Sequence, residues 1–87
     1  MGEVVEISST AAVMTVEEGT VSGFLDVTVT PEGGGLVRYR DTETWLTIGN
    51  LEDVPPALWE SSPDLAAAIE AGAGVRDAAG NAVPFEA

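Results

Sequence analysis

Residues 20–48 constrain the fold more than any other stretch. Val21, Gly23, Leu25, Val27 and Val29 occupy alternate positions, with Thr20, Ser22, Asp26, Thr28 and Thr30 between them. A repeat of two places alternate side chains on opposite sides of a strand, so this stretch reads as a half-buried β-strand. Pro31 ends it, because proline brings no N–H to a ladder. Gly33-Gly34-Gly35 then permits a turn with positive φ, and Leu36-Val37-Arg38-Tyr39-Arg40 resumes as a second strand.

The preceding segments are short and β-branched. Glu3–Ile7 and Ala12–Val16 read as two strands, or as one strand with a break at Ser8-Ser9-Thr10. Glu17-Glu18-Gly19 turns the chain, so a hairpin joins Val13–Val16 to Val21–Val29. After the second strand, Asp41-Thr42-Glu43 leads into Thr44–Ile48, either as the next strand of a meander or as a continuation of one long strand. Gly49-Asn50 closes the sheet.

From residue 51 the pattern changes. Leu51–Pro56 is a rigid connection. Ser61-Ser62-Pro63-Asp64 is a helix start, with a serine cap, proline in the first turn and an acid near the positive helix end. The helix expected over Pro63–Ala71 carries Leu65, Ala68 and Ile69 at helical spacing and stops at Gly72. Asp77-Ala78-Ala79-Gly80-Asn81, between apolar pairs, reads as a tight hairpin, and Pro84 confines its last strand to an edge. The expected architecture is a β-rich α+β fold, with an antiparallel meander sheet of about four to six strands, one short helix and a C-terminal β-hairpin.

With 87 residues, the chain is read as a single small acidic domain, 1–87. A chain of this size buries only about 60–65% of its unfolded surface. Twelve of its apolar residues are alanine, so the bulky set suffices for one sheet and one thin covering layer.

Net charge is −12, from fifteen acids against three arginines, with no lysine and no histidine. Such a chain repels nucleic acid and anionic lipid and favours basic partners. The acids are spread along the chain, which suits a solvated surface, a salt-adapted or compositionally biased proteome, or mimicry of a polyanion. No cysteine offers a disulfide framework. Residues 1–6 lack the basic and apolar regions of a signal peptide, and no segment has membrane-spanning length. The expectation is a soluble protein, cytoplasmic or virion-associated, neither secreted nor membrane-bound.

Without His, Cys or Lys, the usual general bases and activated nucleophiles are missing, so the chain is not expected to be an enzyme. Glu17-Glu18 and Glu52-Asp53 sit beside turns and read as solvated residues. Zinc would find no thiolate or imidazole, and no calcium-loop spacing occurs, so neither a metal nor a cofactor is expected. The three glycines precede a strand, not a helix, and lack the lysine of a phosphate loop.

Strand alternation supplies the functional lead. If Val21, Leu25, Val27 and Val29 face the core, then Val37, Tyr39, Leu46 and Ile48 do too. Phe24, Asp26, Thr28, Leu36, Arg38, Arg40, Trp45 and Thr47 face outward. Trp, Phe and Arg are enriched at the energetic centres of protein interfaces. Phe24, Leu36, Arg38, Arg40, Trp45 and Thr47 are therefore the candidate interface residues. The competing reading covers this face with the chain's own helix, since only one sheet face can take it.

The function expected first is a non-enzymatic interaction protein, an acidic accessory subunit docking onto a larger assembly such as a viral particle, as a decoration or connector protein. The alternative is an acidic inhibitor occupying the nucleic-acid-binding site of an enzyme or repressor. The partner in either case is another protein, with a basic surface or in a multi-subunit assembly. Neither nucleic acid nor membrane is bound directly, and self-association is open to such a chain.

Overall fold

The computed structural model describes residues 3–7, 11–50, 58–72, 78–80 and 83–86. Strands β1 (Val5–Glu6), β2 (Ala11–Thr15), β3 (Gly19–Gly23), β4 (Leu25–Val29), β5 (Gly35–Tyr39) and β6 (Leu46–Thr47) precede helix α1 (Ser62–Ala71). It is a small sheet-rich α+β fold with antiparallel strands and one short helix. One sheet has the order β1-β4-β5-β6, and β2 pairs with β3 in a second. The consecutive pairing of β4, β5 and β6 is the expected meander.

The long alternating stretch forms two strands in different sheets. β3 pairs with β2, Val13 opposite Val21, while β4 pairs with β1 and β5. Gly23 has φ +128°, a conformation that L side chains rarely adopt. The chain bends at Phe24 and re-enters pairing at Leu25 with its alternation intact. Val21 and Leu25 therefore both stay buried across the corner. A strand that changes sheets at a bend is how two small sheets share one core.

Near β6 the two sheets meet again. Thr15 bridges Ile48, the Val16 N–H donates to the Thr47 carbonyl at 2.9 Å, and the Gly49 N–H donates to the Met14 carbonyl at 3.0 Å. The sheets thus curl around an apolar cluster of Ile7, Val13, Val27, Val37, Ile48 and their neighbours. Leu65, Ala66 and Ile69 of α1 belong to the same cluster. The helix therefore covers the inner face, lying against β4, β1 and β2. Gly35 lets it approach: a Cβ there would sit 3.1 Å from Leu65 Cδ2 and 3.3 Å from Ile48 Cδ1.

Local chemistry explains the ends of the elements. Pro31 and Glu32 turn β4 into β5, and the Thr30 hydroxyl accepts from the Gly34 N–H at 3.0 Å. Ser61 caps α1, its hydroxyl accepting from the Asp64 N–H at 3.3 Å, and Pro63 occupies the first turn. Ser62 is buried and accepts from the Val29 N–H at 3.2 Å, tying the helix start to β4. Residues 75–77 and 81–82 of the expected C-terminal hairpin lie outside the described residues, as does the whole of the rigid connection, 51–56. Phe85 is described, and it pairs with Val13 in parallel on the β2 edge that also meets Ile48.

Three expected exposures need correction. Tyr39, expected inside, is 40% exposed, because it stands opposite Leu25 at the corner and its ring passes over Gly23. Asp26 and Thr28, expected outside, are buried. Asp26 lies beneath the guanidiniums of Arg38 and Arg40, and the Thr28 hydroxyl donates to the Glu3 carbonyl at 2.9 Å.

Candidate functional site

The outer face of β4-β5-β6 is built by register. Asp26 stands opposite Arg38, Thr28 opposite Leu36, and Leu36 opposite Thr47. Paired residues share a face. Arg40 follows β5, Trp45 precedes β6 and Phe24 precedes β4, each continuing its strand's alternation. The fold thus gathers Phe24, Leu36, Arg38, Arg40, Trp45 and Thr47 on one surface.

Asp26 is the centre of that surface, its side chain only 5% exposed. Arg38 Nε donates to its Oδ2 at 3.2 Å, and Arg40 Nε lies 3.5 Å from its Oδ1, too poorly aligned for a hydrogen bond. Arg40 Nη2 donates to the Ile7 carbonyl at 2.6 Å, and Glu6 Oε2 lies 3.9 Å from Arg40 Nε. Each guanidinium also rests on a ring: Arg38 lies 4.4 Å from the Trp45 centroid and Arg40 5.3 Å from that of Phe24. Contacts of this kind contribute about 0.5–1 kcal/mol each where partly exposed.

Two guanidiniums and two carboxylates sum to no charge, so this face forms a neutral island on an acidic molecule. The arginines are held flat by Asp26 and are not free to grip an external anion. Arg38, Arg40, Leu36, Trp45 and Thr47 are half-buried, while Phe24 is 55% exposed. The arrangement offers a partner a rigid surface of stacked rings and guanidiniums, of the composition found in interface centres.

Alternation placed Asp26 on this face, but its role follows from the register, which sequence does not reveal. Glu17 was missed for the same reason. Its Oε1 accepts from the Thr47 N–H at 2.8 Å and its Oε2 from the Thr47 hydroxyl at 2.9 Å. Glu17 is therefore not a simple solvated turn residue. It closes the seam between β2 and β6 where main-chain pairing stops. Slight burial opposes its ionisation, but the bonds from the Thr47 N–H and hydroxyl, with its own N–H, outweigh that and lower its pKa below the ordinary glutamate value.

Among the described residues no cluster of three or more His, Cys, Asp or Glu is placed to hold a metal ion, and no helix is long and apolar enough to cross a membrane. Comparison with known proteins yields no match to a family model, to a curated protein or to a solved structure.

Proposed function

We propose that this chain is a non-enzymatic acidic accessory subunit that docks onto a larger protein assembly, such as a viral particle, through the outer face of β4-β5-β6. One observation carries the reading. Helix α1 packs on the inner face, so among the described residues no element lies over the outer one. That face holds Trp45, Phe24 and both described arginines in a pre-organised stack. Side chains already fixed lose little freedom on binding, and aromatic and arginine anchors of this kind dominate binding energy. The surrounding acidity supports a partner with an apolar centre and a basic rim.

Affinity capture from the cells or particles that make the chain tests this, using wild type beside the Arg38→Ala/Trp45→Ala double variant. The expected result is a subunit of a multi-protein assembly that wild type retains and the folded variant loses. Equal recovery by both excludes this face. Recovery of a nuclease or repressor, displaced by DNA and released by modest salt, would favour an inhibitor instead.

A further inference from the structure

A concave surface lies at the other end of the sheet. The β4-β5 turn, the start of α1 and Glu3 enclose a groove of about 720 Å³. Its formation is local. Gly33 accepts from the Trp59 N–H at 2.8 Å, drawing residues 58 and 59 alongside the turn. Gly33, with φ +90°, would have its Cβ 3.3 Å from both Leu58 Cβ and the Trp59 carbonyl, so a larger residue would push this wall away.

We infer that this groove receives an extended segment of a partner protein bearing an arginine. Charge complementarity carries the choice of occupant. Glu3, Glu32 and Glu60 line the groove, no basic residue lines it among the described residues, and the described arginines are committed to Asp26 and Glu6 on the outer face. The three carboxylates do not converge as metal ligands do. Carboxylates spread around a groove suit a delocalised guanidinium on a long stem, which can fork between them. The wall provides for that stem. Leu58 is 78% exposed, and Trp59, its ring tilted against that of Phe85 at 6.0 Å between centroids, adds an aromatic surface. The Trp59 indole N–H is buried without an acceptor. The groove and the outer face share no residue, so either site can fail without the other.

A titration of the full chain with blocked Val-Arg-Val tripeptide, followed in amide and indole N–H resonances, tests the inference. The expected result is saturable shifts at the Trp59 indole, Gly33 and Ser61. Replacing arginine by neutral citrulline should weaken binding at least tenfold. Glu32→Gln and Glu60→Gln, both exposed and without structural hydrogen bonds, should each weaken it about threefold, as for a part-exposed ion pair. Glu18→Gln removes the same charge outside the groove and should leave affinity unchanged. Equal weakening by Glu18→Gln would reveal diffuse attraction to an acidic protein and overturn the inference. Unsaturable shifts, shifts confined to Phe24 and Trp45, or equal binding of the citrulline peptide would also overturn it.

Discussion

Val27 and Val37 stand opposite each other on the inner face of β4 and β5, in the apolar cluster with Leu65 and Ile69. One residue along the same strands, Asp26 stands opposite Arg38 on the outer face, in a network of two carboxylates, two guanidiniums and two rings. The inner face coheres by burial, which is non-directional and scales with area. The outer face coheres by charge pairing, which depends on complete partners. A helix can close an apolar face, whereas the charged face closes itself. Its long side chains fold down over Asp26 and leave their rings and guanidinium planes turned outward.

Breaking the inner face should have the largest effect. Leu65→Ala removes a fully buried side chain and is expected to cost about 2–5 kcal/mol, read as a fall in the urea midpoint at unchanged slope. Breaking the outer face at its centre should come next. Asp26→Ala leaves Arg38 without its anion and Arg40 with only the exposed Glu6. The cost should be about 2–3 kcal/mol, at the low end for a buried pair because Arg38 and Arg40 are 24% and 32% exposed. An unchanged midpoint for Asp26→Ala would mean that the network does not hold this face together.

The seam between the sheets should give the smallest effect. Glu17 has a lowered pKa in the folded chain, so it stabilises the fold at pH above its unfolded value. That contribution is lost as pH falls through the folded value. Glu17→Gln should cost less than about 1 kcal/mol at neutral pH, given how exposed the site is. It should also remove part of the acid-side fall in stability. A pH profile identical to wild type would show that the Thr47 bonds do not distinguish the charged form.

The inner face was largely legible in the sequence, because alternation at Leu25, Val27 and Val29 and helical spacing at Leu65 and Ile69 report burial directly. The serine-proline helix start was equally plain, and the structure places its cap at Ser61. The break between β3 and β4 was not. Gly23 fits the alternating pattern as an ordinary small residue, and only its φ shows that it turns the corner. The outer face was legible as a set of residues but not as a structure. Alternation cannot say that Asp26 meets Arg38, since that depends on how many residues the Pro31–Gly34 turn consumes. Burial of Asp26 and Thr28 was hidden for a related reason: period two assigns a side but not what lies on top of it. Glu17 bonds Thr47 across thirty residues, beyond the reach of any local pattern.

We propose that the outer face of the sheet is the docking surface, while burial on the inner face supplies the larger share of the stability. The most direct test is calorimetric affinity of the captured partner for Phe24→Ala/Trp45→Ala, beside the unfolding midpoint of the same variant. Loss of two ring contacts on a part-exposed face should lower stability by only about 1–2 kcal/mol. Loss of two interface anchors should weaken binding more than tenfold. Affinity within twofold of wild type, with the variant folded, would contradict the account.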